Sequence, residues 1–175
     1  MIVGFIGNMG GGKTLSMVRQ AYNYHLQGFK IFSNIKLNFP YEEFTGNDLL
    51  EYATNNTKFK RAIFLVDEAH IFLDSRRSAS KNNLAISYFI LQTRKKDVKL
   101  LYTTQNKQQV DIRLRQQTDI VVLCYTRLLD KAREIRVTLN LYQIKMMEGV
   151  KELSEKFISN DYYDLYDTYE VINPL

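Results

Sequence analysis

Eight residues near the start of the chain constrain its fold more than any other feature: Gly7-Asn8-Met9-Gly10-Gly11-Gly12-Lys13-Thr14. Their spacing is G-x-x-x-x-G-K-T. Five of the chain's eight glycines fall within the first twelve residues, so glycine is concentrated here. The apolar run Ile2-Val3-Gly4-Phe5-Ile6 precedes the loop and reads as a strand, and an amphipathic stretch over 13–26 follows as a helix. Gly28 stands where a helix C-cap glycine belongs. A glycine-rich loop between a strand and a helix turns successive backbone N–H groups toward one point, and the helix adds the positive end of its dipole. Such a concavity suits phosphate. The spacing therefore predicts a phosphate-binding loop formed by Gly7, Asn8, Met9, Gly10, Gly11, Gly12, Lys13, Thr14 and Leu15. In this reading Lys13 bridges the β- and γ-phosphates of ATP, and the Thr14 hydroxyl ligates Mg²⁺.

The remaining pattern agrees with such a loop. Short apolar runs over 30–34, 62–66, 99–104 and 119–125 read as strands buried on both faces. Longer helical patterns cover 48–53, 79–96 and 110–117. This alternation predicts an α/β fold of the P-loop NTPase type, three layers α/β/α around a mainly parallel sheet. A further strand over 134–140, antiparallel to 120–125, would form an antiparallel edge. The segment from 148 onward is expected to start as a helix and to end as an edge strand over 168–172. No domain boundary is visible, so residues 1–175 are expected to form one domain.

Two strand ends carry chemistry. Ala62-Ile63-Phe64-Leu65-Val66 runs into Asp67-Glu68-Ala69-His70. A carboxylate at the C-terminal edge of a parallel sheet stands where such sheets bind ligands, so Asp67 is expected to hold Mg²⁺ and Glu68 to polarise the attacking water. This is a Walker B pattern to match the Walker A loop. The strand over 99–104 ends at Gln105, whose amide at the tip beside Asp67 is expected to sense the γ-phosphate. Arg94 and Arg115 are candidates for an arginine supplied to a neighbouring subunit's nucleotide. His25 and His70 are isolated singles, which argues against metal ligation by either. Cys124, the one cysteine, reads as a buried small hydrophobe and excludes an intramolecular disulfide.

Charge is unevenly spread. The chain carries a net +5, yet residues 148–175 hold seven acids against two bases, leaving +10 on residues 1–147. A basic body with an acidic, tyrosine-rich C-terminal segment suggests a polyanionic partner such as DNA. Arg76, Arg77 and Lys81, in a Ser- and Asn-containing loop, are the candidate contacts. Tyr162, Tyr163, Tyr166 and Tyr169 lie among acids and are expected to pack on the sheet edge or on a neighbouring subunit. No apolar run approaches the roughly 18 residues of a membrane helix, and no basic leader precedes the first strand.

The phosphate loop, Ile31-Phe32-Ser33-Asn34-Ile35-Lys36-Leu37, the strand ending Val66-Asp67-Glu68-Ala69-His70, Arg94 and the Thr104-Gln105 strand end together resemble the zonular occludens toxin family. That family includes assembly ATPases of filamentous phages and belongs to the FtsK/HerA division of P-loop ATPases, with many viral genome-packaging ATPases. The likeness covers roughly residues 1–140. It implies a ring-forming homo-oligomeric DNA motor, hexameric or pentameric, using ATP and Mg²⁺. It also implies nucleotide binding by Lys13 and Thr14, metal binding and catalysis by Asp67 and Glu68, and sensing by Gln105. Filamentous-phage members carry a membrane-spanning helix and a further domain, and this chain shows neither. The expectation is therefore a packaging motor in the host cytoplasm or on the virion, with a capsid or membrane-protein partner. The alternatives are a membrane-associated extrusion ATPase and an ATP-binding scaffold with little turnover.

Overall fold

The computed structural model describes residues 1–45, 61–72, 89–90, 98–146 and 149–167. One sheet of eight strands organises them. The strands are β1 (Ile2–Ile6), β2 (Lys30–Ser33), β3 (Glu42–Glu43), β4 (Ala62–Val66), β5 (Val98–Thr104), β6 (Ile120–Asp130), β7 (Ile135–Met146) and β8 (Gly149–Ile158). Their order across the sheet is β3-β2-β4-β5-β1-β6-β7-β8. The first six are mutually parallel, and β7 and β8 continue the sheet antiparallel from β6.

Why the parallel strands read as unbroken apolar runs is visible in the core. Neighbouring residues point to opposite faces, and both faces are covered. Ile2, Phe32, Phe64 and Leu100 belong to one buried cluster, and Val3, Ile31, Ile63, Leu65 and Leu101 to the other. Helix α1 (Lys13–Leu26) seals the second face with Met17, Val18 and Ala21. On the first face Leu114, from the short helix Ile112–Gln117, packs with Phe89 and Ile90. The result is the expected three-layer α/β/α arrangement with a mainly parallel sheet and an antiparallel edge.

Helix α1 starts where glycine loses to side chains with helix propensity, and it ends in a backbone turn. Gly28, at φ 84, takes the left-handed conformation just past the helix and donates its N–H to the His25 carbonyl. The helix Ile112–Gln117 is capped by Asp111, which accepts from the Arg113 backbone N–H at 2.8 Å.

The structure corrects one element. The segment after 148, expected to begin as a helix, is strand β8, paired along its length with β7 from Met146↔Gly149 to Val137↔Ile158. In the strand only Phe157 is buried, against the Arg19 guanidinium and the Tyr162 ring. The strand expected over 134–140 is longer, running to Met146, and it pairs with the full length of β6. The expected helix over 48–53, the strand over 168–172 and Tyr169 lie outside the described residues. So does most of the expected helix over 79–96, of which Phe89 and Ile90 are described and buried.

Candidate functional site

The sheet register fixes the site. β1 lies between β5 and β6, so the phosphate loop leaves the sheet next to the end of β5. Ile6 pairs with Thr104 and Val66 with Tyr102, which sets Gly7, Gln105 and Asp67 along one edge. β5 therefore separates the loop-bearing strand from the acidic strand. Gln105, directly after β5, stands between them and is exposed.

The loop needs glycine for two different reasons. A Cβ on Gly7 would sit 2.5 Å from the Cys124 carbonyl oxygen of β6, so the loop's start has no room for a side chain. Gly12, at φ 79, begins α1 in the left-handed region, and a Cβ there would also meet Thr126 and Thr138 within 3 Å. The loop closes on itself through Gly11 N–H to the Asn8 carbonyl at 3.0 Å. Lys13 is buried at 7% exposure, and its Nζ donates to the Asn8 carbonyl at 3.2 Å, which holds the ammonium over the loop. Met9, at the tip, is 83% exposed. Leu15 points into the core behind the loop.

The acidic strand meets the loop through a hydroxyl. Thr14 Oγ1 donates to Asp67 Oδ1 at 2.9 Å, and Thr103 Oγ1 donates to the same oxygen at 2.7 Å. Burial pushes the Asp67 carboxyl up from its ordinary range, and the two hydroxyl hydrogen bonds act in the opposite sense. Asn34, one residue past β2, holds the Asp67 backbone from both sides. It accepts from the Asp67 N–H at 2.8 Å and donates to the Asp67 carbonyl at 3.1 Å.

Glu68 is set by its backbone. It sits at φ 50, a left-handed conformation uncommon for a residue with a side chain, and its N–H donates to Thr103 Oγ1 at 2.8 Å. One threonine thus ties the two carboxylate-bearing residues together. Glu68 Oε2 lies 3.2 Å from His70 Nδ1, and both atoms are buried without a hydrogen-bond partner among the described residues.

The residues present fit a divalent cation of the Mg²⁺ type. A hydroxyl and a carboxylate, both hard oxygen groups, converge beside a loop of phosphate-binding geometry, and such cations complete their shell with phosphate oxygens and water. Thr14 and Asp67 would hold it. Among the described residues no cluster of three or more His, Cys, Asp or Glu forms a separate metal site.

Of the residues predicted from sequence, the structure brings together Gly7 to Thr14, Asp67 and Glu68, and it sets Gln105 on the same edge. Arg115 is elsewhere, lining a cavity with Thr118 and Asp119. Arg94, Arg76, Arg77 and Lys81 lie outside the described residues. Thr103 and the role of Asn34 were missed by sequence reasoning. Their signal is a polar residue at or just past the C-terminal tip of an otherwise apolar strand, the same signal that identified Asp67. The tyrosines behave as expected in part. Tyr162 packs on Phe157, and Tyr166 bridges to Leu37 and joins the core on the α1 face. Burial pushes the Tyr166 hydroxyl up to about 12, and the Asp67 charge adds to the shift.

Solved structures with the same fold include the N-terminal domain of zonular occludens toxin from Neisseria meningitidis. It is 22% identical, with TM-score 0.65 over 95% of this chain and 98% of that one. The genome-packaging NTPase B204 of Sulfolobus turreted icosahedral virus 2, in complex with ATP-gammaS, is 13% identical. It gives TM-score 0.60 over 86% of this chain and 95% of that one. The ATPase domain of G40P is 14% identical, with TM-score 0.56 over 97% and 84% of the two chains. Comparison with curated protein sequences returns no significant match. The phosphate loop, the two carboxylates and the strand order are those of a P-loop NTPase, and the sequence profile of the zonular occludens toxin (Zot) family matches residues 1–170; the chain belongs to that family.

Proposed function

We propose that this protein hydrolyses ATP to move DNA, as a virus- or phage-encoded packaging motor. The observation that carries the reading is the joined pair of strand ends. Thr14 and Asp67 share a hydrogen bond across the strand between them, and Thr103 links Asp67 to Glu68. That arrangement supports reading residues 7–14 as a phosphate cradle, Thr14 and Asp67 as a cation-holding pair and Glu68 as a general base.

The chain's own groups would divide the work as follows. Backbone N–H groups of residues 7–14 and the start of α1 bind the phosphates, and Lys13 neutralises charge that grows on the leaving group. A cation held by Thr14 and Asp67 would supply charge stabilisation for the transferred phosphoryl group. Glu68, aimed by its backbone hydrogen bond to Thr103, orients a water and accepts its proton on the carboxylate. Gln105, between the loop and Asp67, orients the same water or contacts the γ-phosphate. The basic body, +10 over residues 1–147, supports a nucleic-acid track, and a ring of subunits would align such tracks around one strand or duplex. The packaging NTPase B204 shares this fold, which is consistent with the packaging assignment. A second reading, phage assembly or extrusion at a membrane, is favoured by the Zot-family match itself.

The test is steady-state ATP hydrolysis with and without single- and double-stranded DNA at two salt concentrations, with Glu68→Gln as the blank. The expected result is hydrolysis about 10²-fold or more above the blank, stimulated by DNA and less so at high salt. Hydrolysis indifferent to DNA overturns the DNA-motor reading in favour of extrusion. Binding without turnover above the blank overturns hydrolysis altogether and leaves a nucleotide-binding scaffold.

A further inference from the structure

A cavity lies on the face of the sheet opposite α1, with a volume of about 200 Å³. Its floor is the far face of the antiparallel strands. Val121 and Gln143 pair across β6 and β7, and Lys145 pairs with Val150 across β7 and β8. Val122, one residue on from Val121, belongs to the core under α1, so Val121 faces away from that helix. The wall is the helix Ile112–Gln117 with the turn before it, which contribute Arg115 and Lys107.

The cavity reaches the end of β1 opposite the phosphate loop, on the face of the sheet away from α1. Asp119, in its lining, accepts from the backbone N–H of Ile2 at 2.8 Å, at the beginning of β1. The phosphate loop leaves the other end of that strand. A molecule bound in this cavity is therefore not the nucleotide held by Lys13 and Thr14.

Its charge is unbalanced. Among the described residues that line it, Lys107, Arg115 and Lys145 face one acid, Asp119, an excess of two positive charges. The buried Arg115 Nε has no hydrogen-bond partner among the described residues. Asp111, four residues before it, is engaged by Arg113, whose Nε and Nη2 donate to its two oxygens at 2.9 Å each, and Asp119, four residues after it, accepts from the Ile2 N–H. Lys145 Nζ uses one donor on the Gln116 carbonyl at 3.1 Å and, among the described residues, keeps two. Leaving a buried charged donor unmatched is costly, so a cation-lined cavity with an orphaned guanidinium N–H calls for an anion. A phosphate monoester near neutral pH carries close to two negative charges, which matches the excess. Val121, Val150 and the Tyr102 ring supply an apolar side against which a sugar or base could lie.

We propose that this cavity is a second phosphate site, distinct from the phosphate loop, which takes a phosphate ester through Lys107, Arg115 and Lys145. The phosphate belongs either to a free nucleotide or to a nucleic-acid strand, and the experiment separates the two. The site does not depend on the protein being a DNA motor.

The test uses the full chain carrying Lys13→Ala, which silences the phosphate loop. Backbone amide resonances of Lys107, Thr118, Gln143 and Lys145 are followed by NMR during titration with inorganic phosphate, AMP and a tetrathymidylate. Saturable shifts at these amides are expected with at least one probe. Saturation by AMP or phosphate assigns a small ligand, and saturation by the oligonucleotide alone assigns a strand. In the Lys107→Gln/Arg115→Gln double variant the affinity should fall about tenfold or more, as expected when charge-assisted hydrogen bonds are lost. Lys107→Gln alone leaves the buried helix face untouched and should weaken binding about threefold, a check that survives if the double variant misfolds. Absence of saturable shifts with all three probes, or unchanged affinity in Lys107→Gln and in a folded double variant, overturns the proposal.

Discussion

The parallel half of the sheet and its antiparallel extension are built on different terms. Every residue of β1 and β4 is buried, and consecutive side chains enter two different cores. In β8 only Phe157 is buried, although the strand is ten residues long. The first half is held by side chains on both faces and tolerates almost no change of volume. The second is held largely by its backbone ladder to β7 and by a few anchors at one end. Arg19 is the chief anchor. Its guanidinium lies over Phe157, 4.3 Å from the ring centroid, and it pairs with Glu155. That pairing holds the Glu155 carboxyl below its ordinary range. Chemistry sits where the two halves meet. Gly7 packs on the Cys124 backbone of β6, and Gly12 on the hydroxyls of Thr126 and Thr138. The antiparallel extension thus shapes the phosphate loop from behind while contributing no side chain to the phosphate-facing edge described above.

This contrast breaks most readily at glycine. Gly7→Ala forces a methyl group against the Cys124 carbonyl oxygen. Nucleotide affinity should fall at least about 100-fold, read by calorimetry with a non-hydrolysable ATP analogue. Gly149→Ala, at φ 144 with open space around it, should cost only about 1 kcal/mol of conformational strain and leave nucleotide binding unchanged. Equal effects at the two positions would remove the distinction.

Phe157→Ala comes next. It deletes the buried anchor of β8 and should lower stability by about 2 kcal/mol in denaturant melts. The ATPase parameters measured well below the melting transition should stay within about twofold, because Phe157 packs on Arg19 and Tyr162 and touches none of the residues placed at the phosphate-facing edge. Thr103→Val acts on the other side of the comparison. It keeps the shape of a fully buried side chain but removes the hydroxyl that serves both Asp67 and Glu68. The cost should be about 1–2 kcal/mol in stability and about tenfold in kcat, with little change in KM. Thr103→Ser should restore most of the rate, an outcome that a purely packing role for this residue would not give.

Smaller effects test electrostatics. Arg113 holds the Asp111 carboxyl below its ordinary range, chiefly through side-chain hydrogen bonds. A depressed carboxyl contributes stability that is present above its unfolded-state pKa and lost as pH falls through the folded one. Asp111→Asn should therefore cost about 1 kcal/mol near pH 7, and the difference from the parent should shrink as the solution is acidified below the usual carboxylate range. Smallest of all, Lys151→Gln, on the exposed part of β8, should change stability by no more than about 0.5 kcal/mol by thermal melt.

Legibility in the sequence follows the same division. A strand covered on both faces must be apolar throughout, so β1, β2, β4 and β5 announced themselves to within a residue. The phosphate loop was legible because its chemistry demands particular residues at particular spacings. Asp67 and Glu68 followed from being polar at the end of an apolar run. β8 was misread because an edge strand exposed on most of its surface puts little constraint on side-chain alternation. Asn34 and Thr103 carried the same strand-tip signal as Asp67, but an amide or a hydroxyl is common there, and its role exists only once a partner is opposite.

The sequence by itself determined the class of fold, the position of α1 and the glycine-rich loop and acidic strand end of the candidate site, because local spacing and hydrophobicity are properties of contiguous residues. Tertiary structure alone decided that β5 would stand between the loop and the acidic strand. It also decided that Thr103 would join Asp67 to Glu68, and that Lys107, Arg115 and Lys145 would face one cavity from three elements. Those relations depend on strand order and register, which arise from contacts between residues far apart in the chain, and no local pattern carries them.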